Sequence, residues 1–187
     1  MGRTATGQTI KRGDQMRWRN SLNRYWPRAA IAVALGLTGG AALARTTPPG
    51  CAASKLTGAM KLIPGSAGAG HIGYALTLKN TTTKPCRLGN HPKLKLLEAN
   101  GVGLPTHVVK LGSSTTLTLA AGHKASASLR FSPDIPSAGE PSYGPCEPAA
   151  HKVRVTLTGP GTGSLRVPVS PATSVCGRGA IDEKPLM

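Results

Sequence analysis

The chain has 187 residues and a formal charge of +16, with 23 Lys and Arg against 7 Asp and Glu and only 3% aromatic side chains. That length holds one domain with a modest core. The charge favours anionic partners, and the shortage of aromatic platforms argues against binders of single-stranded nucleic acid and against carbohydrate pockets.

Residues 1–28 are polar and basic, with Lys11, Arg12, Arg17, Arg19, Arg24 and Arg28 ahead of an apolar run at 29–37 and an Ala42-Leu43-Ala44 ending. A charged start, a short apolar core and an A-x-A site predict a secretory signal peptide over residues 1–44, with Met16 as an alternative start and 45–50 as a linker. The run is too short and too rich in Gly and Ala for a membrane span, and no Arg-Arg pair precedes it. Cys51 follows Pro48-Pro49-Gly50 instead of the Leu-small-small approach of a lipidated cysteine, so it is read as a disulfide cysteine. Cleavage after Ala44 leaves 143 residues. Seven Lys and Arg and Asp14 belong to the leader, so the mature part keeps 16 basic and 6 acidic side chains, a net +10. Trp18 and Trp26 also fall in the leader, leaving Tyr74, Tyr143 and Phe131.

Residues 55–63 form a weak first strand, followed by a loop over 64–70. Ile72, Tyr74, Leu76 and Leu78 then alternate with Gly73, Ala75, Thr77 and Lys79, which predicts a half-buried central strand running into an Asn-Thr-Thr-Thr-Lys-Pro turn and Cys86. Segment 87–98 sets Leu94 and Leu96 against Lys93 and Lys95 and closes with Asn100-Gly101, a hairpin turn pair. Short strands at 104–111 and 114–119 lead to 124–131, where Ala125, Ala127, Leu129 and Phe131 face inward. The proline-rich stretch 132–148 is a long surface loop. Strands at 152–158 and 165–169 flank a turn at 159–163, and 181–186 supplies a terminal strand. No helical periodicity follows Ala44, which disfavours proteins that place a helix in the DNA major groove. Seven to nine short strands predict an all-β, immunoglobulin-like sandwich.

Four cysteines in an exported chain read as two disulfides, with three pairings open. Cys51–Cys86 and Cys146–Cys176 are preferred because each clips a terminal region to the nearest strand end. The five histidines, His71, His91, His107, His123 and His151, are widely separated and read as solvent-exposed. A copper carrier gathering some of them with Met60 is the alternative function, although no metal-ligand spacing asks for it. Gly68-Ala69-Gly70-His71-Ile72-Gly73 matches G-x-G-x-x-G but precedes a strand, so no phosphate loop is predicted. No G-x-S-x-G elbow and no paired-carboxylate arrangement occurs, and the chain is expected to be no enzyme and to carry no cofactor. Asn80-Thr81-Thr82 is a formal glycosylation sequon, read as a turn. The outward set Lys79, Lys93, Lys95, Arg130, Lys152, Arg154 and Arg166 is the candidate polyanion-binding surface if these residues share one sheet face.

Several of these segments together resemble the DUF4232 family of exported actinobacterial domains of unknown function. They are Cys51, the 68–70 and 74–80 stretches, Pro85-Cys86-Arg87-Leu88-Gly89-Asn90-His91-Pro92, the 121–125 turn, Cys146-Glu147-Pro148-Ala149, the 153–157 strand and Val175-Cys176. The resemblance runs from Cys51 to Leu186 and implies a secreted or surface-attached β-sandwich with two disulfides and no transferable catalytic residue. Members often follow a lipoprotein signal or a membrane helix, and this sequence shows neither clearly. Phe131 stands where the family more usually has tryptophan. The expected role is an extracytoplasmic, cell-envelope binding or structural module. Its expected partner is an anionic wall polymer or an envelope protein, with membrane contact only through an uncleaved leader.

Overall fold

Alternation of buried and exposed side chains becomes ten strands in the computed structural model, which describes residues 46–187. The predicted leader, residues 1–44, and the alternative start at Met16 lie outside the described residues. After a 3-10 turn at Ala53–Lys55 come β1 (Leu56–Leu62), β2 (Ile72–Asn80), β3 (Cys86–Gly89), β4 (Lys93–Leu97) and β5 (His107–Lys110). Then follow β6 (Thr116–Leu119), β7 (Lys124–Phe131), β8 (Ala150–Thr156), β9 (Ser164–Thr173) and β10 (Ala180–Glu183). Eight strands are hydrogen-bonded in the order β4-β8-β9-β1-β2-β7-β10-β5, and β3 pairs with β6 separately.

At the centre, β2 and β7 pair antiparallel with large side chains set against small ones, Leu76 opposite Ala127 and Leu78 opposite Ala125. That fit fills the layer without crowding. Tyr74 and Phe131 stack with ring centroids 5.3 Å apart, and the Tyr74 hydroxyl donates to the Pro171 carbonyl at 3.0 Å.

Strand β9 turns the sheet back over itself. It pairs antiparallel with β8 over Ser164–Pro168 and again at Thr173, while on its other edge Val169 and Ser170 pair in parallel with Met60 and Lys61 of β1. Leu94, Leu96, Val153 and Val155 from one flank thereby join Leu76, Leu78, Ala127 and Leu129 from the other in a single buried core. Gly58 permits the close approach: a Cβ there would lie 2.7 Å from Val167 Cγ2 and 3.2 Å from Leu78 Cδ2.

The disulfides are Cys51–Cys86 and Cys146–Cys176, with Cα separations of 4.9 and 5.3 Å. Closing loops of this length contributes roughly 3–4 kcal/mol each in the chain-entropy view. Two expectations are refined. Segment 87–98 holds two strands, β3 and β4, separated at Asn90-His91-Pro92, where Gly89 at the end of β3 donates its amide to Thr158 O at 2.7 Å and Pro92 has no amide to donate. The Asn100-Gly101 turn forms, but its return leg follows β4 only through Gly103 and Leu104, after which β5 pairs in parallel with β10. The proline-rich stretch 132–148 has no strand or helix.

Candidate functional site

Five of the seven candidate cations come together on the outer face of β4, β8 and β9. Inward Leu94, Leu96, Val153, Val155 and Val167 leave Lys93, Lys95, Lys152, Arg154 and Arg166 on the opposite side. Register then sets a row across three strands, with Arg154 directly opposite both Lys95 and Arg166. Neighbouring strands lie about 4.8 Å apart, and residues two apart on one strand repeat about every 7 Å, so the cations occupy a close grid. The Lys152 ammonium donates to the Ala99 carbonyl at 3.0 Å. Among the described residues the one ion pair within 4 Å is His91–Glu183, so no carboxylate neutralises this grid.

Lys79 and Arg130 belong to the other outer face, on β2 and β7. Lys79 sits opposite Lys124 and Thr57, and Arg130 opposite Asp182. The candidate cations are thus divided between two faces by strand order, which periodicity alone does not reveal.

Burial brings together one pair that the sequence reading missed. His91, 2% exposed, and Glu183, fully buried, approach with Nδ1 and Oε2 3.4 Å apart. Among the described residues, His91 Nε2 and Glu183 Oε1 have no hydrogen-bond partner. Burial pushes the Glu183 carboxyl up to about 7, against the opposing pull of the Lys110 ammonium. The same burial, aided by Lys110, lowers the His91 pKa, so both groups favour their neutral forms. A cleft of about 330 Å³ overlies the loop, lined by His91, Asn90, Lys110, Thr115 and Thr158 among others. The available signal was the alternation of β10, which puts Glu183 on the same side as buried Ile181.

A serine and a histidine also meet: Ser132 Oγ lies 3.0 Å from His71 Nδ1 beside a cleft of about 280 Å³ that Asp182 helps to line. No carboxylate hydrogen-bonds His71 among the described residues, so the pair lacks the orienting group of a hydrolytic triad. Nearby, the turn Cys176–Gly179 carries positive φ at Gly177 and Arg178, and their successive amides form an anion-binding nest. Glu140 fills it, accepting from the Gly177 and Arg178 amides and, at 2.6 Å, from Ser137.

The remaining candidates are dispersed. His107, His123 and His151 are exposed, and Met60 is sealed in the core. No three His, Cys, Asp or Glu side chains converge as a metal site among the described residues. Asn80 of the sequon is fully buried, and its Nδ2 donates to the carbonyls of Lys84, Leu119 and Ala120. No described helix is long and apolar enough to cross a membrane.

A family model described as a domain of unknown function, DUF4232, matches residues 51–186. No curated protein and no solved structure gives a significant match.

Proposed function

We propose that this chain, which belongs to the DUF4232 family, is a non-enzymatic, extracytoplasmic binding module that holds an anionic polymer of the cell envelope on its β4-β8-β9 face. The observation that carries the reading is the row Lys95, Arg154, Arg166. Like charges directly opposite on adjacent strands oppose folding, and no carboxylate among the described residues lies within 4 Å to offset them. A polyanion laid across the strands would supply the missing counter-charge and gain from release of its own counterions. Two disulfides agree with an oxidising compartment. The Ser132–His71 contact without a bonded acid, and an anion nest already filled by Glu140, agree with a role other than catalysis.

The test is salt elution of residues 46–187 from immobilised heparin. This segment contains the whole described core and both disulfides. The domain is expected to be retained at low salt. K95Q/R154Q/R166Q should elute at clearly lower salt than K55Q/K84Q/K184Q, which has the same net charge. Flow-through of the parent, or equal elution of the two variants, would overturn the reading.

A further inference from the structure

The opposite outer face repeats the same charge arrangement, on strands that the first face does not use. On β1, β2 and β7, Thr57, Lys79 and Lys124 form one cross-strand row, and Lys61, Ala75 and Ser128 form another two rows along. Lys79 and Lys124 stand directly opposite each other, like charge against like charge, with no carboxylate within 4 Å of either among the described residues. Ala59 and Thr77 between the rows, with Ala75, make a floor of short side chains in an open groove of about 350 Å³, with Lys61, Lys79 and Lys124 in its lining. A shallow trough with cations along it suits an extended, regularly charged chain better than a compact ligand, which needs enclosure.

The two faces are back to back. Inward side chains of β4, β8 and β9 and of β1, β2 and β7 share one buried core, so the outward side chains of the two flanks point away from it. A sandwich core is about 10 Å thick, and side chains on both outer faces add to that. A polymer chain seated on one face reaches the other only by rounding the β9–β1 junction. From this geometry we infer that the domain is bivalent: each face takes a separate strand of anionic polymer, and the protein cross-links them. The inference rests on the polyanion reading of the first face and extends it to a second site. A few cations on an open face bind weakly and with strong salt dependence, whereas two engaged faces hold a polymer network through effective concentration.

Residues 46–187, disulfides intact, would be titrated with long-chain polyphosphate at low ionic strength, with binding read by salt elution and bridging by light scattering. Scattering should rise and then fall as polymer passes into excess, because each polymer chain then carries too few domains to be linked into a network. K61Q/K79Q/K124Q should remain retained on the column yet lose most of the scattering, on the order of fivefold or more, as bivalent avidity is removed. K95Q/R154Q/R166Q should do the same, and the charge-matched K55Q/K84Q/K184Q should scatter like the parent. Undiminished scattering by K61Q/K79Q/K124Q, or equal loss in the charge-matched control, overturns bridging. Failure of the parent to bind at all overturns the first reading as well, whereas binding without scattering overturns bridging alone. Clustering of phosphatidylglycerol vesicles without bridging of polymer would assign the second face to a lipid surface and also overturn the proposal.

Discussion

Glu183, on the strand nearest the end of the chain, meets His91 in the β3–β4 loop with 3.4 Å between carboxyl and ring, and neither is exposed to water. Their pKa values move in opposite senses, the acid up to about 7 and the base down. Burial disfavours the charged form of both, while the Lys110 ammonium opposes that effect on the acid and adds to it on the base.

Stability should therefore vary with pH in a way that isolates Glu183. Its folded pKa is raised above 4.5, so its contribution is full below that value and lost as pH rises through about 7. The size of the shift corresponds to roughly 3 kcal/mol. His91 acts in the reverse direction, its contribution being present above 6.5 and lost as pH falls through its depressed pKa. Urea unfolding of Glu183→Gln alongside the parent cancels the His91 part. The variant's relative stability should climb by roughly 3 kcal/mol between pH 4.5 and 7 and stay level above. A flat difference would show that Glu183 is ionised in the folded protein.

Asn80 organises the turn after β2 rather than receiving a glycan. Its amide donates to three carbonyls, and its Oδ1 accepts from the Thr82 amide at 3.0 Å and the Thr82 hydroxyl at 2.8 Å. Asn80→Ala leaves buried carbonyls without donors and should cost about 2 kcal/mol in chemical denaturation. A loss under about 0.5 kcal/mol, the range of ordinary surface changes, would contradict this account.

Glu140 ties the proline-rich stretch to the 176–179 turn. Amide donors from Ser137, Arg178 and Gly177 hold its carboxyl below the usual range. A depressed folded pKa means that the tie is present above 4.5 and released as pH falls through the folded value. Glu140→Ala should remove it at neutral pH, speeding hydrogen exchange at the Ser137, Gly177 and Arg178 amides by about tenfold or more while β2 and β7 stay protected. Unchanged exchange at these three amides would show that the Cys146–Cys176 bridge alone holds the segment.

Much of the scaffold was legible because it obeys a period of two. The inward sets of β2, β7 and β8 follow from alternation, and both disulfides follow from where their cysteines fall beside those strands. Sheet order was not legible. Alternation identifies Lys79 and Arg154 as outward without saying that they leave opposite sides of the molecule, because that depends on β9 crossing from β8 to β1. The end of β3 at Gly89 was hidden for a similar reason: its amide is claimed by Thr158, a residue remote in sequence. His91 and Glu183 are 92 positions apart, so only the closed fold shows that two polar residues share one dry site.

The parallel contact of β1 with β9 also governs when the domain is completed. Met60 is fully buried, yet its partner Val169 lies 109 positions later. As the chain is released from its start towards its end, β1 finds β2 early, but its other edge stays open until most of the domain has emerged. Such long-range closure slows folding, and the open strand is a template for association with other chains in the interval. The yield of native protein is then set by how long that edge waits, and a chaperone that covers β1 would act at the step most exposed to loss.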